Sequence, residues 1–284
     1  MTELSPAERY QQATKRQSSP GLARYRESLA FDLDPFQVSS CESVEAGRGV
    51  LVAAPTGAGK TAVAEFAIYL ALQSLDTKVF YTTPMKALSN QKYTELVEVH
   101  GASQIGLLTG DTSINPHARV VIMTTEVLRN MLYAHSELLE HLGYVVMDEV
   151  HYLADRFRGA VWEEVIIHLP EDVQLVSLSA TVSNAEEFGH WLQTVRGETD
   201  IVVSEKRPVP LYQHMLVGER LVPLFRTDKT TSPPQVNPEI VQLVHTLQRH
   251  QGGRYQDGKS RRRGRSRDYH RAGQHRVSSA TIIR

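Results

Sequence analysis

Across residues 31–206, short apolar runs rich in β-branched residues alternate with longer stretches of helical spacing. Six of these runs stop abruptly at small, polar or acidic residues. The run 50–53 enters a Gly-rich loop, and Val79-Phe80-Tyr81 enters Thr82-Thr83-Pro84. Residues 105–108 lead to Thr109-Gly110-Asp111, and 120–123 to Thr124-Thr125-Glu126. Residues 144–147 deliver Asp148-Glu149, and 175–178 deliver Ser179-Ala180-Thr181. Strand-like runs separated by helices predict an α/β domain, a parallel sheet covered by helices. Ligands of such open sheets sit beyond the carboxyl ends of the strands. All six endings are therefore expected along one edge, in one site.

The flanks break this rhythm. Residues 1–30 are a polar extension with one short helix expected at Ser5-Pro6-Ala7-Glu8, where Ser5 caps, Pro6 fits the first turn and Glu8 completes a capping box. Past Arg207-Pro208-Val209-Pro210 come the breaker cluster TTSPPQVNP, one helix expected over 239–250, and Gly/Arg-rich low complexity over 251–276. The segment 207–284 is accordingly expected to be a linker and a basic, disordered tail without a set of apolar strands. No internal repeat is visible.

Composition changes this picture in three places. A hydrophobic content of 41% suffices for a full core. Cys41 is the one cysteine, which excludes an intrachain disulfide and a thiolate metal cluster; within FQVSSCESV it is expected to face a core. The polar start Met1-Thr2-Glu3-Leu4-Ser5-Pro6 lacks the apolar stretch of a signal peptide, and the longest apolar stretch, 62–72, is interrupted by Glu65 and too short for a bilayer. A cytoplasmic protein without a membrane partner is the simplest reading. The net charge of −1 hides an asymmetry: residues 249–276 hold ten Lys/Arg against two Asp, a net of +8, which leaves −9 for the remainder. Such segregation fits either a polyanion partner or a solvated tail.

The octet APTGAGKT, residues 54–61, carries the sharpest chemistry. Gly57 and Gly59 allow the backbone of Ala54, Pro55, Thr56, Gly57, Ala58 and Gly59 to turn its N–H groups towards phosphate. A helix starting near Lys60 adds its positive end. Lys60 can reach the outer phosphates, and the Thr61 hydroxyl can ligate Mg²⁺. Ala54 stands where the strict pattern has Gly, which costs little because the later glycines make the close approach. Asp148 and Glu149, at another strand end, suit metal binding and general-base work respectively. Together the two stretches predict an NTP-hydrolysing site that uses Mg²⁺. His151 either couples this site to Ser179 or Thr181 or is simply a hydrogen-bonded histidine.

In this order, APTGAGKT, TTPMKALSNQKY, TGD, MTTEVLRNML, MDEVH and LSATVSN resemble the DEVH-box branch of superfamily 2 helicases, closest to the Ski-like RNA helicases. A narrower likeness within that branch rests on FDLDPFQ, on DEVHYLADRFRGAVWEE and on the basic stretch after RPVPL. The resemblance covers roughly residues 31–211. It implies a RecA-like (P-loop NTPase) fold for residues 31–206, with helices on both faces of the sheet. It further implies that Phe31 stacks on adenine and that Gln37 reads its polar edge. Pro84, Lys86 and Ala87, with Thr109-Gly110 and Thr124-Thr125, would lie along a nucleic-acid backbone, RNA rather than DNA. Ser179-Ala180-Thr181 would couple hydrolysis to strand movement. A helicase of this type uses two RecA-like domains; after Arg207 the second is not found, so the chain is expected to be an N-terminal piece that hydrolyses ATP slowly and does not unwind alone. A DNA-directed motor and a non-catalytic module binding ATP and RNA remain the alternatives.

Overall fold

The computed structural model describes residues 19–155, 158–180, 185–226, 235–256 and 280–283. The expected helix at Ser5 and most of the basic segment, residues 257–276, lie outside the described residues.

Eight strands form the main sheet: β1 (Gly49–Ala53), β2 (Lys78–Thr83), β3 (Ile105–Leu108), β4 (Ser113–Ile114), β5 (Val120–Thr124), β6 (Leu142–Met147), β7 (Gln174–Ser179) and β8 (Thr199–Val203). Their order is β4-β3-β5-β2-β6-β7-β1-β8. Every pairing is parallel except that of the two-residue β4 with β3. The six strands expected from the sequence are β1, β2, β3, β5, β6 and β7, and all run the same way. Their carboxyl ends share one edge.

Seven helices cover this sheet: α1 (Pro20–Ser28), α2 (Pro35–Glu45), α3 (Thr61–Gln73), α4 (Lys86–His100), α5 (Thr125–Tyr133), α6 (Gly159–His168) and α7 (Ala185–Arg196). Alternate residues along each strand point to opposite faces, and both faces are apolar. Val50, Val52, Val79, Tyr81, Val120, Ile122 and Val146 pack with residues of α1–α4, Leu22, Tyr25, Cys41, Phe66 and Leu96 among them. Leu51, Phe80, Val121, Met123, Val145 and Met147 pack with Leu128, Trp162, Val165 and Leu192 of α5–α7. The run-like rather than alternating strand sequences follow from this double burial. Cys41 is fully buried, as expected.

Helix α3, which leaves the Gly-rich loop, is apolar on most sides and buries Val63, Ala64, Phe66, Ala67, Ile68 and Ala71. A helix of that composition belongs inside, and burying side chains such as Phe66 and Ile68 contributes roughly 1.5–3 kcal/mol each. The loop is thereby seated on a rigid base. At the sheet's edge, β8 is fastened by Asp200, whose Oδ2 accepts from Ser43 Oγ at 2.6 Å and from Arg48 Nε at 2.8 Å.

Two expectations about the flanks need correction. Residues 1–30 are not wholly an extension: α1 packs Leu22 and Tyr25 into the main core, and Glu45 of α2 accepts hydrogen bonds from the amides of Gly21 and Leu22 at 2.6 and 2.9 Å. Beyond residue 208 the described residues form a separate unit with its own sheet and helix rather than only a linker and tail. In it, β9 (His214–Val217), β10 (Arg220–Pro223) and β11 (Ala280–Ile283) make an antiparallel sheet of order β10-β9-β11, accompanied by α8 (Pro238–Gln256). The two-residue turn after Val217 is allowed by Gly218 at φ +64. Val217, Val222 and Ile240 form its small core. Prolines at 208, 210 and 223 bracket these short strands and read as breakers in the sequence.

Candidate functional site

The loop between β1 and α3 turns at Gly57 (φ +81) and Gly59 (φ +82), a left-handed conformation that L side chains rarely adopt. A Cβ on Gly59 would meet Gln37 Nε2 at 2.7 Å, whereas one on Gly57 would meet nothing within 4 Å. Gln37 is buried and spans two elements. Its Nε2 donates to the Gly59 carbonyl at 2.8 Å, and its Oε1 accepts from the Asp34 amide at 2.7 Å, just before α2. These two bonds use one of the two amide hydrogens of Nε2. Phe31, 56% exposed, offers an open ring nearby in sequence. Lys60 Nζ donates to the carbonyls of Ala54 and Pro55, at 2.8 and 3.2 Å. Partial burial lowers its pKa, while the charges of Glu149 and Asp148 pull the other way. The lysine and the two carboxylates thus share one electrostatic site. Thr61 opens α3.

Asp148 follows β6 and is held on both oxygens. Oδ2 accepts from the Tyr81 hydroxyl at 2.7 Å and Oδ1 from the Glu149 amide at 2.9 Å. Burial first, and the neighbouring Asp148 second, push the Tyr81 phenol well above its usual range, so it stays a donor. Glu149 sits at φ 54, ψ 40. That conformation costs a non-glycine residue about 1–2 kcal/mol, and such strain collects at functional sites. Its Oε2 lies 3.2 Å from His151 Nδ1. The same ring nitrogen lies 3.5 Å from the Ala180 amide. One nitrogen carries at most one proton, so Nδ1 either donates to Glu149 or accepts from Ala180. His151 therefore stands between the acidic pair and the Ala180 amide and can hydrogen-bond one of them at a time; the Ser179 hydroxyl donates instead to the Ala180 carbonyl at 2.9 Å. Thr181 lies outside the described residues.

The remaining candidates occupy the other half of the edge. The adjacent strands β3, β5 and β2 end at Thr109-Gly110, Thr124-Thr125 and Pro84, while the nucleotide-type residues follow β6, β7 and β1. The seam is β2 against β6, and the Tyr81–Asp148 hydrogen bond crosses it. Helices α4 and α5 begin at Lys86 and Thr125 without a side-chain cap, leaving N–H groups suited to an anion. Lys86, Ala87 and Gly110 are exposed and Thr124 half-buried, but Pro84, Thr109 and Thr125 are buried. These last three also support the edge from within. The Thr125 hydroxyl donates to the Thr83 carbonyl at 3.4 Å, and the Pro84 carbonyl accepts from Arg158 at 3.1 Å. The Thr109 hydroxyl donates to Asp111 at 3.1 Å. Sequence reasoning missed Tyr81, Arg158 and the part of Asp111. Asp111 adjoins Thr109-Gly110, a signal that was present; Tyr81 is hidden in an apolar run.

Among the described residues no three His, Cys, Asp or Glu side chains are grouped as a metal cage. Thr61 and Asp148 are instead hard oxygen donors of the number Mg²⁺ takes from protein when phosphates and water supply the rest.

Residues 34–188 match the DEAD/DEAH box helicase family. The chain is 61% identical over 248 residues to the probable helicase HelY of Mycobacterium tuberculosis, covering 87% of this chain and 27% of that protein. It is 48% identical over 199 residues to the antiviral helicase SKI2 of Saccharomyces cerevisiae, covering 70% of this chain and 15% of SKI2. Among solved structures, the Mycobacterium smegmatis helicase Lhr bound to ssDNA and AMP-PNP aligns at TM-score 0.53 and 32% identity, over 62% of this chain and 26% of that one. The chain therefore spans about a quarter or less of the length of these relatives.

Proposed function

The chain belongs to the DEAD/DEAH box helicase family, and from that premise we propose that it binds and hydrolyses ATP at the β1–β6–β7 half of the sheet edge while a nucleic-acid backbone lies along the β2–β5–β3 half. The observation that carries the reading is the placement of the Gly-rich loop after β1 and of Asp148-Glu149 after β6 on one sheet edge, where Lys60 feels the charge of both carboxylates. Lys60 leaves the Ala54 and Pro55 carbonyls for the outer phosphates. Phe31 stacks on the base, and the free amide hydrogen of Gln37 reads it. Thr61 and Asp148 hold Mg²⁺, which when bound shields phosphate charge. Tyr81 orients the Asp148 carboxylate, and Glu149 takes a proton from the attacking water. His151 passes the state of Glu149 to the Ser179-Ala180-Thr181 end.

The strand contacts are backbone amides, hydroxyls and one lysine, which position a nucleic acid without reading its sequence. RNA is the favoured substrate, on the similarity to DExH-box ATP-dependent RNA helicases of Arabidopsis thaliana; the ssDNA in the Lhr structure makes DNA the second reading. Among the described residues there is one parallel sheet. An arginine reaching such a site from a second domain can be worth about 10³–10⁵ in rate, so slow turnover and no unwinding are proposed for this chain alone.

The test is ATP turnover with and without single-stranded RNA or DNA, beside Lys60→Ala. The variant is expected to lose roughly 100-fold or more of whatever turnover the chain has. Turnover that Lys60→Ala leaves unchanged would sink the assignment of the site. Equal stimulation by both nucleic acids would remove the preference for RNA.

A further inference from the structure

Lys86 is the one cation among the seven residues assigned to the nucleic-acid half. It is not idle. Its Nζ donates to Asp111 Oδ2 at 2.5 Å, and the other carboxylate oxygen of Asp111 accepts from the Thr109 hydroxyl at 3.1 Å. The pair joins the first residue of α4, which follows β2, to the loop after β3, and these are the two strands that flank β5. Both side chains face solvent, Lys86 47% and Asp111 66% exposed. The hydrogen bonds from Lys86 and then Thr109 hold the Asp111 carboxyl below the usual carboxylate range, so it stays charged at neutral pH.

An exposed pair of this kind adds little to stability, and its position matters more than its strength. It sets a fixed negative charge on the track where phosphates are to lie, and it neutralises the track's own lysine. We infer that Asp111 is a built-in counter-ion that the phosphate of a bound strand must displace from Lys86, so that it limits nucleic-acid affinity and lowers its salt dependence. The inference rests on the reading of this edge as a nucleic-acid track. A lysine already paired with a protein carboxylate gives a smaller net release of salt ions when phosphate replaces that carboxylate, because the freed Asp111 is then screened by cations in turn. A lysine freed of Asp111 contributes its full share, about 0.7 to the slope of log affinity against log salt for a single strand.

The experiment compares the full chain with Asp111→Asn, Lys86→Ala and the double variant. Binding of fluorescent oligouridylate and oligothymidylate is titrated across a range of KCl concentrations. The basic residues of 249–276 contribute equally to all four proteins. Asp111→Asn is expected to bind several-fold tighter at low salt with a slope steeper by up to about 0.7, and the gain should vanish when Lys86 is also alanine. Weaker binding by Asp111→Asn at unchanged slope would mean that Asp111 orients Lys86 for phosphate, and would overturn the inference. Reductive methylation of Lys86, read by mass spectrometry without oligonucleotide, gives an independent arm. The lysine should react faster in Asp111→Asn, and an equal rate would show that the pair does not form in solution. If Lys86→Ala binds like the parent chain while methylation still reveals the pair, the track reading fails and the counter-ion has nothing to compete with.

Discussion

At the scale of single residues, the site depends on side chains whose role is to hold others. Tyr81 touches no proposed ligand, yet its hydroxyl fixes one oxygen of Asp148. Tyr81→Phe removes that donor without changing the ring that packs in the core. The expected result is a few-fold loss of nucleotide affinity in Mg²⁺ and no loss in EDTA, measured by calorimetry; equal loss in both would mean that the hydroxyl does not act through the metal ligand. The residues proposed to touch substrate were legible in the sequence because Lys60 and Thr61 close the Gly-rich loop behind one apolar run, and Asp148 and Glu149 stand where another ends. Tyr81 was not, because a phenol inside VFYTT reads as one more core ring. Exposure was equally hidden: nothing in the order of letters separates Lys86, which is open, from Thr125, which is sealed against the Thr83 carbonyl.

At the scale of elements, α3 and β8 show how the loop is kept in place. Phe66 is fully buried and packs against Tyr25, with ring centroids 5.2 Å apart. Phe66→Ala is expected to cost about 3–5 kcal/mol in denaturant unfolding and to weaken nucleotide binding, since the loop rides on this helix. Unchanged nucleotide affinity in the folded variant would show that the loop's shape is set by its own turns. For β8, burial opposes ionisation of Asp200, but hydrogen bonds from Ser43 and Arg48 leave its pKa lowered on balance. A carboxyl with a depressed folded pKa stabilises the fold above its unfolded pKa of about 3.9 and loses that contribution as pH falls through the folded value. Asp200→Asn should therefore lower the melting temperature at pH 7, with the gap narrowing below about pH 4. A gap independent of pH would show that the loss is steric. Elements with strong periodicity were read correctly, whereas α1 and the β9–β10 hairpin were not. Leu22 and Tyr25 are too sparse to mark a core-facing helix, and the hairpin's strands are short and bracketed by proline.

For the molecule as a whole, one sheet edge carries the residues proposed for both ligands on separate sets of strands, meeting at β2 and β6. The parallel topology was legible because strands buried on both faces leave unbroken apolar runs. The unit over 209–284 was not, because a three-stranded sheet pairing β9 with strand 280–283 depends on partners far apart in sequence. The buried position of Cys41 has a practical use beyond its packing. Burial and the carboxylates of Glu45 and Glu42 push this thiol far above its usual range, and it is fully enclosed. Because a protonated, enclosed thiol does not react with maleimides, the native chain is a blank for dye chemistry. A cysteine introduced at Lys86 and another at Phe31 would each take a fluorophore without background, and the distance between the two halves could be followed in single molecules as nucleotide and oligonucleotide are added.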